Sequence, residues 1–197
     1  YITTTNENYD HPSMPKGSEE GIIKGMYKIL SSNKPKIRLL GSGSILRESI
    51  KAKEILSSYK IESEVWSVTS FNLLRKDGME VERFNQLNPN SNEKKSYVEE
   101  CFSDNPIPVV ASTDYMRSYA DQIRPYINED FTVLGTDGFG RSDSREMLRE
   151  FFEIDANSIV RASAYSLYKN GNLEKSTLDK IYKDIGIDSA KINPWEA

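Results

Sequence analysis

The sequence predicts a layered α/β domain built on a mostly parallel sheet. Three observations carry that prediction. Short apolar, β-branched runs alternate with stretches whose apolar residues recur every three or four positions, which is how strands interleaved with helices read. Clusters of Gly, Ser, Thr and Asp follow several of the strands, as at 41–44 and 135–143. From about residue 143 onward the apolar spacing is helical throughout, and no further strand is expected.

Taken in order, Tyr1–Thr5 is aromatic and β-branched and is expected to be a strand. Residues 6–17 hold Pro12, Pro15 and Gly17 and read as a loop. Glu19 and Glu20 favour the positive end of a helix, and Ile22, Ile23, Met26, Tyr27 and Leu30 then share one helical face. Lys36–Leu40 is the next strand. It runs into Gly41-Ser42-Gly43-Ser44 and a helix to about Tyr59 with Ile45, Ala52, Leu56 and Tyr59 near one face. Val65–Thr69 is a third strand. Ser70 is placed to cap a short helix through Leu74, and the polar stretch 77–93, with Pro89, reads as an excursion from the core. Tyr97–Phe102 is expected to be helical. Pro108–Ser112 is a fourth strand, Tyr115, Tyr119, Ile123 and Tyr126 line a helix, and Phe131–Leu134 is a fifth strand. In the final helices Asp143 and Glu146 fit a capping box. Asp155 caps a helix bearing Ile159, Val160 and Leu167 that Gly171 closes, and Gly186 ends the last. The expected organisation is one domain over residues 1–197, with a helical tail from about 143 to 197.

Composition removes several function classes. A chain of 197 residues can bury roughly 70% of its extended surface, so it needs no staple. The net charge is −4, and its basic residues are interleaved with acidic ones, as in Arg145, Glu146, Arg149 and Glu150. That pattern reads as a solvated helix face and offers no basic stripe for nucleic acid or an anionic membrane. No apolar run is long enough to span a bilayer. Cys101 is the one cysteine and His11 the one histidine. Neither a disulfide nor a Cys/His zinc site can be assembled from them, and a reducing, cytosolic setting is expected. A Ser-His-Asp triad would have to use His11, in a Pro-rich segment that does not hold a base rigidly. Glu99 and Glu100 beside Cys101 disfavour its thiolate. The absence of a start methionine before Tyr1 reads as a cut inside a longer chain.

Two motifs invite a functional reading. Gly41-Ser42-Gly43-Ser44 lies between a strand and a helix, where backbone N–H groups can face an anion. It has neither a full G-x-G-x-x-G nor the Gly-Lys-Ser/Thr of a P-loop, and a tight strand-to-helix turn is the preferred reading. Asp137-Gly138-Phe139-Gly140-Arg141-Ser142-Asp143 follows a strand, as ligand loops do in α/β sheets. Its two glycines, however, suit unusual backbone angles, and Asp143 suits a cap. Asp137, Gly138, Phe139, Gly140, Arg141, Ser142, Asp143, Gly41 and Gly43 are therefore taken as structural or interface candidates. Trp66 is expected in the core, and Trp195 to dock the C-terminus. No catalytic, cofactor-binding or metal-binding residue emerges from composition and spacing.

Several stretches together resemble one family. They are Thr5-Asn6-Glu7-Asn8-Tyr9, Met14-Pro15, Glu19-Glu20-Gly21-Ile22, the run from Leu39 to Arg47, Ser67 to Phe71 and Val110 to Met116. Val133 through Arg145 and Ile192-Asn193-Pro194-Trp195 continue the match. In this order they resemble the C-terminal domain of the homodimeric, acetyl-transferring pyruvate dehydrogenase family. The segment around Asp10 and His11, and the loop from Asn85 to Lys95, depart from it. The resemblance implies a three-layer α/β/α fold of the transketolase C-terminal type. About five strands are expected, with one antiparallel edge strand assigned to Tyr1–Thr5. For the full-length enzyme it implies decarboxylation of pyruvate with thiamine diphosphate and magnesium, then transfer of the acetyl unit to lipoyl groups. The cofactor carries the hard chemistry, and both it and the proton-transferring groups are expected on preceding domains. The implied partners are the protein's own N-terminal and middle domains, a second subunit of a homodimer and the acyltransferase component. Other readings stay open: a related thiamine enzyme such as a transketolase or another 2-oxo acid dehydrogenase, a free-standing module binding a phosphate or nucleotide through Gly41–Ser44, or a docking or regulatory surface for the other complex components.

Overall fold

The computed structural model describes residues 8–10 and 12–197. The first helix, α1 (Glu19–Lys24), ends at Gly25, whose φ of 116° closes the turn. Its N–H returns to the Gly21 carbonyl. The helix expected to continue through Leu30 therefore stops six residues early, and Met26–Leu30 forms β1. The apolar residues at 22, 23, 26, 27 and 30 fit either period. Gly25 decides between them, because a Cβ there would stand 2.8 Å from the Ser70 carbonyl. Among the described residues β1 is the antiparallel edge strand; the strand expected at Tyr1–Thr5 lies outside them.

The other strands are β2 (Ile37–Ser42), β3 (Ser63–Val68), β4 (Val109–Ser112) and β5 (Phe131–Leu134). Their order is β1-β3-β2-β4-β5. β1 runs antiparallel to β3, while β2, β3, β4 and β5 are mutually parallel. All six residues of β2 and of β3 are buried, as strands of a sheet covered on both faces must be. Alternation sends Leu39, Val65 and Val110 to one face and Leu40, Trp66 and Val109 to the other. Helices α2 (Leu46–Ser58), α7 (Ala156–Lys169) and α8 (Lys175–Asp184) cover the first face, and α3 (Phe71–Leu87) and α4 (Tyr97–Phe102) cover the second.

Three further expectations need correction. The helix after Ser70 runs to Leu87, through most of the stretch read as an excursion. Its inward stripe is Phe71, Leu74 and Gly78. The glycine broke the apolar period, yet it marks the closest packing, since a Cβ there would fall 2.2 Å from the Tyr126 ring. The segment read as one helix from Tyr115 to Tyr126 divides into α5 (Arg117–Asp121) and a 3-10 turn at Arg124–Tyr126 with Pro125 at its start. The cap of α6 (Arg145–Phe151) is Ser144, whose Oγ accepts from the Met147 N–H. Asp143 instead accepts from the Ser144 N–H, one position too early for a capping box. The Asp155 cap is present, and regular helix ends at Asp184.

Candidate functional site

The parallel strands β2, β4 and β5 deliver their C-terminal ends to one rim. In an open α/β sheet a ligand crevice forms where consecutive connections leave in opposite directions. Here β2 leads to β3 on one side while β4 lies on its other side, so that point falls between β2 and β4. The crevice is filled by side-chain contacts between the two strand ends. Ser42 Oγ donates to Thr113 Oγ1 at 3.0 Å, Ser49 and Ser112 share a hydrogen bond of 3.2 Å, and Ser44 Oγ donates to Asp114 Oδ2 at 3.2 Å.

The two glycines of this turn serve different needs. At Gly41 a Cβ would meet the Leu46 Cα at 2.6 Å, so the bare backbone lets α2 start directly against the strand. Gly43 has φ 54°, a left-handed angle that side chains resist. The nearest atom to a Cβ at Gly43 would be Asp114 Oδ1, at 3.7 Å. A carboxylate at the mouth of the turn repels an incoming phosphate, so this geometry opposes the anion-binding alternative.

The 137–143 loop stands on the same rim and is largely exposed. Asp137 faces inward. Its Oδ1 accepts the Arg117 N–H at 3.0 Å, and Oδ2 lies 3.4 Å from Arg117 Nε. Gly138 has φ 102°. Phe139 is 84% exposed, and a Cβ at Gly140 would have no atom within 4 Å. Arg141 lies over the Phe151 ring at 5.0 Å. Tyr115 and Met116 are 58% and 59% exposed at the end of β4, and Trp195 is 49% exposed. Four large apolar side chains thus face outward on or beside the segments of one rim, more than scattered surface residues require.

A cavity of about 940 Å³ lies between α2, α6 and the start of α7. Cationic and acidic side chains both line it, and several of them engage one another. Glu48, buried, binds Arg149 at 3.2 Å, Lys51 at 3.1 Å and the Ala156 N–H at 3.2 Å. Arg161 donates to Glu153 at 2.6 Å and holds that carboxyl below its ordinary range. The arrangement fastens three helices together. Arg149, read from the sequence as part of a solvated face, is in fact largely covered.

A second network at the other end of the sheet also escaped the sequence reading. Arg38 on β2 and Glu64 on β3, both with 3%-exposed side chains, form an ion pair, and Lys28 and Trp66 Nε1 bind the same carboxylate. Burial pushes the Glu64 carboxyl up, but hydrogen bonds from Lys28, Trp66 and Arg38 outweigh it and leave the group below its usual range. Alternation along a strand marks such positions only when they are apolar, so two interior charges on neighbouring strands leave no periodic signal.

Among the described residues no three His, Cys, Asp or Glu side chains are placed to hold a metal ion, and His11 lies outside them. Burial pushes the Cys101 thiol up, against a role as nucleophile. No helix among them is long and apolar enough to cross a membrane.

The comparisons with known proteins agree with this architecture. The pyruvate dehydrogenase E1 component of Pseudomonas aeruginosa is 51% identical over 201 residues, taking in 100% of this chain and 23% of that protein. The E1 component of Escherichia coli K12 is 49% identical over 198 residues, 98% of this chain and 22% of that protein. The chain therefore spans under a quarter of the length of these relatives. Among solved structures, transketolase of Pichia stipitis in complex with sedoheptulose 7-phosphate superposes with a TM-score of 0.56 at 17% identity, over 83% of this chain and 21% of that one. Transketolase from Leishmania mexicana gives 0.52 at 17% identity, over 91% and 21%; such distant likenesses speak to fold alone. Residues 25–155 match the family described as the transketolase-like TK C-terminal domain, the span that holds the whole β1–β5 sheet and its rim, and the chain belongs to that family.

Proposed function

We propose that this chain is the C-terminal domain of a pyruvate dehydrogenase E1 component that decarboxylates pyruvate with thiamine diphosphate and magnesium and passes the acetyl unit to lipoyl groups of an acyltransferase. Within that enzyme it serves as a supporting domain over residues 1–197, in the cytoplasm, and contributes no reacting group. The observation that carries this reading is the 49–51% identity to E1 components along essentially the whole chain, against 17% to the transketolases that share the fold. The local chemistry favours a supporting role, because the polar clusters among the described residues are engaged with one another.

The 137–143 loop is the proposed junction with the neighbouring domains and the second subunit. Size-exclusion chromatography of the longer protein carrying Phe139→Asp, or Arg141→Ala with Asp143→Ala, tests this. Loss of the dimer at low micromolar protein is expected, and an unchanged dimer would refute the junction. Phe139 is informative because its exposure lets a charge be introduced without disturbing the folded domain.

A further inference from the structure

The 137–143 loop is pinned from beneath by the C-terminal segment. A Cβ at Gly138 would stand 2.9 Å from the Trp195 Cα and 3.1 Å from the Pro194 carbonyl oxygen, so the two backbones lie in direct contact. Pro194 is buried although Ile192 and Trp195 on either side are exposed. The Trp195 ring lies 5.2 Å from the Arg117 guanidinium. That same arginine gives its backbone N–H to Asp137 and pairs with the Asp137 carboxylate. Further back, Lys191 Nζ donates to the Glu150 carbonyl at 2.6 Å, which fixes the course of the segment along the end of α6.

We propose that Lys191–Trp195 is a strap that sets the conformation of the 137–143 loop, with Gly138 and Trp195 as the positioning residues where strap and loop interlock. The inner half of the loop is held by the strap and by Arg117, and the outer half projects Phe139. A loop ordered in advance loses less freedom on docking and so binds its neighbour more tightly. This deepens the junction reading above and rests on it for its purpose, although the interlock itself can be measured without a partner.

The measurement is hydrogen exchange on the 197-residue chain, unaltered, with Trp195→Ala, and ending at Ile192. The informative amides are Arg117, which donates to Asp137, and Thr136, which donates to the Tyr115 carbonyl. Losing the strap is expected to speed exchange at both by about tenfold while amides of β2 and β3 stay protected, as for a local opening. Unchanged exchange at Arg117 and Thr136 in both variants overturns the strap. The junction reading fails separately: if exchange rises as expected but Phe139→Asp leaves the dimer of the longer protein intact, the strap stands and the loop is not the junction.

Discussion

Gly41→Ala isolates the reason for the glycine-rich turn. The added methyl group would sit 2.6 Å from the Leu46 Cα, 2.7 Å from Ser49 Oγ and 3.2 Å from Leu46 Cδ1. Carbon atoms prefer separations of about 3.5–4.0 Å, so the overlap with Leu46 is about 1 Å. The offending atom is backbone and cannot rotate aside. Helix α2 would have to withdraw from β2, loosening the Ser49–Ser112 hydrogen bond of 3.2 Å and uncovering Leu46. Overpacking of this kind costs about 1–3 kcal/mol, and in a domain of this size each kcal/mol lowers Tm by roughly 2–4 °C. Urea denaturation should show a lower midpoint with an unchanged slope. Two neighbours calibrate the result. Gly43→Ala meets no close atom and should cost only the left-handed backbone term, about 1 kcal/mol. Gly140→Ala, with open space around it, should stay within about 0.5 kcal/mol of the parent. A Gly41→Ala chain no less stable than Gly140→Ala would refute the packing argument.

Three other outcomes follow from groups wholly or partly buried. Arg38→Met leaves Glu64 buried with Lys28 and Trp66 as its remaining partners and should lower stability at pH 7, read by urea denaturation, by less than the roughly 3–5 kcal/mol of a buried charge left unpaired. Because the folded carboxyl of Glu64 is held low, its contribution is present above the ordinary carboxylate value of about 4.3 and is lost as pH falls through the lower folded value. Glu64→Gln should therefore weaken the chain at neutral pH and flatten the acid limb of its stability curve, and a parallel acid limb in urea titrations from pH 7 to pH 3 would contradict this. Alkylation of Cys101 by iodoacetamide at pH 8 should run about tenfold slower in the folded chain than in urea, since the thiol is half-buried and that burial raises it; equal rates would count against this placement.

The sheet was legible because its strands are short apolar runs bounded by turn residues, as at Leu39-Leu40-Gly41 and Val110–Asp114. Where the sequence misled, backbone geometry or a glycine had replaced the apolar signal. Gly25 converts an ambiguous run into a helix end and an edge strand, and Gly78 hides the inner stripe of α3 by removing the side chain at its closest contact. The rim could be located in advance, because glycines after strands mark it. Its partnership with Pro194 and Trp195 could not, since those residues lie more than 50 positions downstream and nothing local ties them to Gly138. The same holds for Glu48 with Arg149 and for Arg38 with Glu64. These pairs form only when separate elements pack, and charged residues carry no periodic mark of burial.

The central claim is that the reacting groups of the proposed enzyme lie on polypeptide other than these residues. The most direct test is carbon dioxide release from pyruvate, with thiamine diphosphate and magnesium supplied, by the 197-residue chain and by the longer E1 protein assayed side by side. Release by the longer protein alone is the predicted result, and turnover by the 197 residues unaided would contradict it.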